Sequence, residues 1–224
     1  ENGAFYINTV ANIKKYKNRL SGNIHPYLMP EYSAVEADEE DDWLMLEKLM
    51  YKYIVEKLPI KPVQLFATDV DGVLTDAGMY YDNKGNELKK FNTHDGMSFK
   101  LLREKGIKSA IITSEETNIV ENRSKKLNVD YLYQSVSGKN KLDVIKEICI
   151  KENIHLSEVA YIGDDINDLK ALSVVGLAAC PSNATQSIKN IENIIHLKKS
   201  GGEGAVREFV EIIIANQNEI PPKK

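Results

Sequence analysis

Val63-Gln64-Leu65-Phe66-Ala67-Thr68, running straight into Asp69-Val70-Asp71-Gly72-Val73-Leu74-Thr75, is the stretch on which the reading of this chain turns. A short run of apolar residues bounded by turn formers suits a strand buried on both faces of a parallel sheet. It ends on two aspartates at i and i+2, whose side chains lean to the same side of an extended backbone. A carboxylate is already ionised at neutral pH, so one aspartate can attack phosphorus while its neighbour handles protons.

Working outward, residues 63 to 217 alternate β-rich runs with segments of helical period, the pattern of βαβ units. Strands are predicted at 63–68, 107–113, 129–133, 159–163, 175–179 and 193–197. Helices are predicted at 96–105, 116–127, 139–152, 166–173 and 184–190. A last amphipathic helix at 203–217 carries Val206, Phe209, Val210, Ile213 and Ile214 on one face. The expected fold is α/β, a doubly wound parallel sheet whose ligands bind outside the carboxyl ends of the strands, where Asp69, Thr113 and Asp164 fall. Gly78-Met79-Tyr80-Tyr81 and Glu87-Leu88-Lys89-Lys90-Phe91 flank a turn-rich segment and read as a β-hairpin, a small flap beside the site in place of a large cap domain.

Residues 1–60 differ in character. An acidic run, Glu39-Glu40-Asp41-Asp42, precedes a helical pattern with Trp43, Leu46, Leu49, Met50 and Ile54, and Pro59 and Pro62 bracket a boundary. The domain junction is placed near residue 60, leaving 61–224 as the second domain.

At 224 residues and 42% hydrophobic content, the chain is long enough to bury a full core. A net charge of -4, with no basic stripe among 29 Lys and Arg, argues against a nucleic-acid partner. Cys149 and Cys180 are too few for a disulfide framework or a thiolate zinc site, which suits the reducing cytoplasm. No apolar stretch approaches the roughly 20 residues that span a bilayer, so no membrane partner is expected. Opening on Glu1 rather than methionine is expected of a fragment or a processed form.

A second acidic motif, Gly163-Asp164-Asp165-Ile166-Asn167-Asp168, follows another apolar strand. The fold would bring its carboxylates to the sheet edge that holds Asp69 and Asp71, a crowding that is costly without a cation. Oxygen-only ligands point to Mg²⁺. A calcium loop is the poorer fit, because Val73 stands where a third oxygen ligand is needed. Thr113, ending a strand, can hold phosphate oxygens or simply cap the next helix. Lys141, with Lys139 as its competitor, can balance the charge of phosphate and nucleophile or face solvent.

The set Asp69-x-Asp71-Gly72-Val73-Leu74-Thr75, Thr113, Lys141 and Gly163-Asp164-Asp165-x-x-Asp168 resembles the haloacid dehalogenase superfamily of phosphatases. Thr75-Asp76-Ala77-Gly78, Phe91-Asn92-Thr93-His94-Asp95-Gly96 and Gly201-Gly202-Glu203-Gly204-Ala205-Val206-Arg207-Glu208 are similar to its capless branch, which hydrolyses 3-deoxy-octulosonate 8-phosphate and nonulosonate 9-phosphates. The resemblance implies Asp69 as nucleophile and Asp71 as acid and base. It implies Mg²⁺ on Asp69, Asp164 and the Asp71 backbone carbonyl, with Asp165 and Asp168 in support. Thr113, Ser114 and Lys141 are implied around the phosphate, and a homotetramer in which the glycine-rich tail with Arg207 reaches a neighbouring site.

Octulosonate enzymes usually carry Gly-Arg after the motif threonine or serine, whereas this chain has Ser114-Glu115. The departure favours a nonulosonate 9-phosphate, since Glu115 accepts hydrogen bonds from sugar hydroxyls. Lys126, 11 residues on and back on the same helical face, is a candidate to complete a polar wall. Both also read as ordinary helix-surface charges, and His94 as a surface loop residue.

Asn2-Gly3-Ala4-Phe5-Tyr6-Ile7, Tyr27-Leu28-Met29-Pro30 and Val35-Glu36-Ala37-Asp38 with Asp42-Trp43 resemble the carboxyl-terminal end of an N-acylneuraminate cytidylyltransferase. Without the nucleotide-binding part, this piece is expected to transfer no cytidylyl group. The overall expectation is a Mg²⁺-dependent phosphomonoesterase of an acidic sugar phosphate, the rear part of a bifunctional enzyme. Its rival is a non-catalytic oligomerisation module.

Overall fold

The computed structural model describes residues 6–30, 39, 42–43, 45–46, 49, 62–136 and 140–218. Met50, Ile54, Glu36, Asp38 and Lys139 lie outside the described residues. The chain falls into two compact units, Glu1–Pro59 and Ile60–Lys224.

The first unit contains helix α1, Val10–Tyr16, capped by the Thr9 side chain accepting from the Asn12 N–H and closed by Lys17 in the left-handed region at φ 50°. Asp42, Trp43, Met45, Leu46 and Leu49 are also helical.

The second unit is built on six parallel strands: β1 (Leu65–Thr68), β4 (Lys108–Ile112), β5 (Tyr131–Tyr133), β6 (Val159–Ile162), β7 (Leu177–Cys180) and β8 (Ile195–His196), in the order β5-β4-β1-β6-β7-β8. All four residues of β1 are buried, as its continuous apolar run demands. Helices α2 (Thr93–Glu104), α3 (Asn118–Leu127), α4 (Lys141–Glu152), α5 (Leu169–Leu172), α6 (Gln186–Lys189) and α7 (Ala205–Asn218) connect the strands and close the chain.

Alternate residues of each strand face opposite sides, so the domain has two cores. Phe66, Ile111 and Ile162 pack with Phe99, Leu102 and Phe209 on one side. Leu65, Ala67, Ala110, Ile112 and Tyr161 pack with Ile145, Ile148 and Leu172 on the other. Phe66 anchors the first core, edge-on to Phe99 with ring centroids 6.0 Å apart and 6.2 Å from Phe209.

Local chemistry sets where the helices begin. Asn92, Thr117 and Asn140 each accept a backbone N–H of the first turn of α2, α3 and α4. Asn128 and Asn153 end α3 and α4 in the left-handed conformation that asparagine tolerates. The Asn140 cap makes Lys141 the first helical residue of α4.

The predicted helix at 166–173 is a 3-10 turn, Ile166–Asp168, followed by the short α5, because Asp168 turns its side chain inward instead of continuing a helical face. Between β1 and α2 the predicted hairpin is present: β2 (Tyr80–Tyr81) pairs antiparallel with β3 (Glu87–Leu88). The Asp82 carboxylate accepts the N–H groups of Lys84 and Asn86 across the turn, and Thr75 and Phe91 bridge at the hairpin base.

Candidate active site

The sheet register assembles the site. Thr68 lies level with Ile111 of β4 and Ile162 of β6, so the next residues, Asp69, Ile112 and Gly163, emerge together, with Thr113 and Asp164 one step beyond. Asp69, Asp71, Thr113 and Asp164 border one cavity of about 270 Å³, as do Ser114, Glu115 and Asp165. Ala77 and Asn167 complete its wall.

Asp69 is buried, and its Oδ1 accepts the Val70 N–H at 2.7 Å. Its Oδ2 lies 2.7 Å from Lys141 Nζ. Lys141 is also 2.7 Å from Asp168 Oδ1, which in addition accepts the Tyr161 hydroxyl at 2.5 Å. Asp168 Oδ2 takes the N–H groups of Asp164 and Asp165 at 3.0 and 3.3 Å. Both oxygens of Asp168 are therefore committed to holding Lys141 and the Asp164 loop. Tyr161 and Asp168 are fully buried, so this chain of bonds runs beneath the cavity floor.

The Gly72 turn fits closely under Asp164. Gly72 has φ +83°, and a Cβ there would lie 2.0 Å from Asp164 Oδ2. Its carbonyl accepts the Asn183 side-chain amide at 3.0 Å, while Asn183 Oδ1 accepts the Gly201 N–H at 2.7 Å. The glycine-rich segment before α7 thus buttresses the aspartate loop.

Ligand oxygens of Asp69, Asp164 and Asp168 lie within 4.8 Å of one another. Burial first, then the charge of Asp168, pushes the Asp69 carboxyl up to about 8 against the pull of Lys141. The same two causes push Asp164 up to about 7. Burial disfavours charge on Lys141, but Asp69 and Asp168 outweigh it and raise its pKa. Three crowded carboxylates with one ammonium leave an excess of negative charge that a divalent cation would relieve. With Asp168 committed elsewhere, Asp69 and Asp164 are the side chains placed to hold that ion, and an all-oxygen donor set suits Mg²⁺.

Residues 135–209 match the model of a haloacid dehalogenase-like hydrolase family. The 3-deoxy-D-manno-octulosonate 8-phosphate phosphatase KdsC of Salmonella typhi is 36% identical over 163 residues, 72% of this chain and 85% of that protein. This chain belongs to the KdsC-like family of haloacid dehalogenase-type phosphatases. The KdsC of Yersinia pestis is 35% identical over 158 residues, 70% of this chain and 83% of its own. Among solved structures, the Moraxella catarrhalis phosphatase in complex with magnesium, phosphate and KDO has a TM-score of 0.67 at 37% identity, covering 71% of this chain and 90% of that one. The cobalt-bound Haemophilus influenzae phosphatase has a TM-score of 0.66 at 29% identity, covering 72% of this chain and 93% of its own.

In this KdsC-like phosphatase, Thr113 is buried, and its hydroxyl accepts the Glu115 N–H at 3.3 Å. Ser114 Oγ accepts the Asn167 amide at 3.4 Å. Lys126 is exposed in the last turn of α3 and is not among the residues bordering the cavity. Arg207, on α7, pairs with Glu211 at 2.6 Å, while its backbone N–H caps onto Asp95 at 2.8 Å; it too lies off the cavity lining of its own chain. His94 is not among the residues bordering the cavity; its backbone N–H donates to Asn92 Oδ1 at 2.8 Å.

The lysine that meets Glu115 is Lys89, from the residue following β3. Its ammonium lies 2.7 Å from Asp71 Oδ1, 2.9 Å from Glu115 Oε2 and 3.1 Å from Glu87 Oε1, with the side chain 2% exposed. Sequence reasoning passed over Lys89. The signal was the two-residue period of the hairpin strand, which puts Glu87 and Lys89 on one face and Leu88 on the other. Tyr161 and Asn183 were likewise unmarked, since a strand tyrosine and a loop asparagine carry no pattern of their own.

Proposed function

We propose that this phosphatase hydrolyses the phosphomonoester of a 3-deoxy-2-keto sugar acid in a Mg²⁺-dependent reaction, with a nonulosonate 9-phosphate preferred over an octulosonate 8-phosphate. The observation that carries the reading is Asp69 at the cavity floor, backed by Lys141 and faced by Asp71 and Asp164. Asp69 attacks phosphorus and the bond to the sugar oxygen breaks, while Asp71 gives its proton to that leaving oxygen. Asp71 then takes a proton from the water that opens the aspartyl-phosphate, freeing inorganic phosphate. Lys141, the Thr113 hydroxyl and Ser114 steady the phosphoryl oxygens. Mg²⁺ held by Asp69, Asp164 and the Asp71 carbonyl would neutralise charge between two approaching anions.

Glu115 at the cavity wall supports the nonulosonate preference, since a carboxylate accepts sugar hydroxyls where an arginine would seek a carboxylate. The likeness of residues 1–60 to a cytidylyltransferase end supports a role as the rear part of a bifunctional acylneuraminate enzyme working in the cytoplasm. The exposed Met79, Tyr80, Tyr81 and Leu88 of the hairpin support a homotetramer in which Arg207 reaches a neighbouring site. A purely structural module would need neither Asp69 nor Asp71 at the cavity. The test is phosphate release from a panel of eight- and nine-carbon keto-sugar acid phosphates, with Mg²⁺ and with chelator. Turnover of none of them, or equal turnover in chelator, overturns the proposal; faster turnover of the eight-carbon ester overturns the preference.

A further inference from the structure

We propose that Lys89 is a positioning residue for proton transfer: it fixes the rotation of the Asp71 carboxyl and ties it to the sugar-facing wall at Glu115. The inference rests on the phosphatase reading above. Asp71 Oδ1 receives two donors, the Lys89 ammonium at 2.7 Å and the Thr75 hydroxyl at 3.2 Å. Among the described residues no hydrogen bond reaches Oδ2. With Oδ1 held from two directions, Oδ2 is the oxygen presented for proton exchange, and one orientation of the carboxyl is selected from the broad range that its terminal torsion allows.

The ammonium is built into the fold rather than reaching in from solvent. Its side chain is 2% exposed, and Glu87 and Glu115 take it at 3.1 and 2.9 Å. The ammonium donates to Asp71 at 2.7 Å and to Glu115 at 2.9 Å, with the Glu87 carboxylate 3.1 Å away as a third counter-charge. It is therefore a fixed donor. Because Glu87 and Lys89 belong to the hairpin, the flap itself holds the acid and base in register with Glu115. A sugar hydroxyl that engages Glu115 then meets a proton donor already aimed at the ester oxygen.

The test separates proton delivery from general damage by the leaving group. A sugar alkoxide must be protonated as it departs, whereas 4-nitrophenolate and acetate need no proton. kcat/KM reports the step that breaks the ester bond, so Lys89→Met should cut kcat/KM for the preferred sugar phosphate at least about 30-fold more than for 4-nitrophenyl phosphate or acetyl phosphate. Lys89→Arg, which keeps a donor, should recover a part of that selectivity. Equal losses on all esters in Lys89→Met, or a rise in KM with kcat unchanged, would overturn the proposal. If the wild-type chain hydrolyses no sugar phosphate, it is the phosphatase reading that falls instead.

Discussion

The ammonium of Lys141 lies 2.7 Å from Asp69 Oδ2, and the two side chains are only 2% and 7% exposed. A pair so far from water stands only while each charge has its partners, and Lys141 serves Asp168 as well. Removing one member of a buried pair strands the other in a low dielectric. Lys141→Met should therefore lower the unfolding free energy of the metal-free protein by about 3–5 kcal/mol and turnover by orders of magnitude. Denaturant melts in chelator and in Mg²⁺ would check this; an unchanged midpoint in chelator would contradict the pairing.

Asp69→Asn keeps the shape of the floor but removes the attacking oxygen's charge, so turnover should vanish. Stability in chelator should stay close to that of the wild type, because Lys141 keeps Asp168 as its partner. Asp71→Asn should leave Mg²⁺ affinity nearly intact while slowing both formation and hydrolysis of the aspartyl-phosphate. Calorimetric Mg²⁺ titrations and rapid-quench kinetics distinguish the two; near-normal turnover in Asp69→Asn would refute its role.

Stability and Mg²⁺ affinity should both depend on pH through this site. Asp69 and Asp164 are raised from 3.8 to about 8 and about 7, so the folded protein holds protons that the unfolded chain gives up near pH 4. The folded state binds more protons across that window, so their contribution to stability is full below about pH 4 and is lost as pH rises towards about 8. Mg²⁺ displaces those protons, so it should bind more tightly as pH rises and should suppress the decline. Melts at about pH 5 and about pH 8, comparing the wild type with Asp164→Asn in chelator, isolate the effect. A wild-type stability that rose more steeply than that of the variant would reverse the sign.

Gly72→Ala should act through Asp164. The new Cβ would lie 2.0 Å from Asp164 Oδ2 at a backbone φ of +83°, so the carboxylate must move. A left-handed alanine alone costs about 1–2 kcal/mol. Weaker Mg²⁺ binding, with a kcat/KM loss larger than the melting shift accounts for, is expected from titration and kinetics.

The hairpin offers a direct test of assembly. Tyr81 and Leu88, on opposite faces of a two-stranded flap, are 59% and 60% exposed, and a second copy packed against either face would cover apolar surface. Tyr81→Lys with Leu88→Lys should lower the sedimentation mass from that of a tetramer while leaving the unfolding midpoint of the domain nearly unchanged. A wild-type chain that sediments as a monomer would contradict the tetramer.

Much of this was readable because it is local. The run Leu65–Thr68 needs both faces covered, which sets a parallel sheet, and the carboxylates at Asp69, Asp71 and Asp164 sit directly after such runs. Helix starts were readable to within a few residues from period alone, but Asn92 and Asn140 fixed them through side-chain hydrogen bonds, so α2 begins at Thr93 and α4 at Lys141. Lys126 illustrates the limit: helical period set it on a face with Glu115, yet the helix begins only at Asn118, so Glu115 belongs to the loop before it.

By itself, then, the chain's order of residues determined the strand and helix succession, the two aspartate motifs and their meeting at one sheet edge, because hydrophobic period and parallel pairing leave few alternatives. Tertiary structure alone decided that Lys89 crosses from the hairpin to Asp71 and Glu115, that Asp168 and Tyr161 hold Lys141 from below, and that Asn183 locks Gly72. Those contacts join residues up to 111 positions apart. Their geometry depends on how a flap folds back and how loops pack, which no local period encodes.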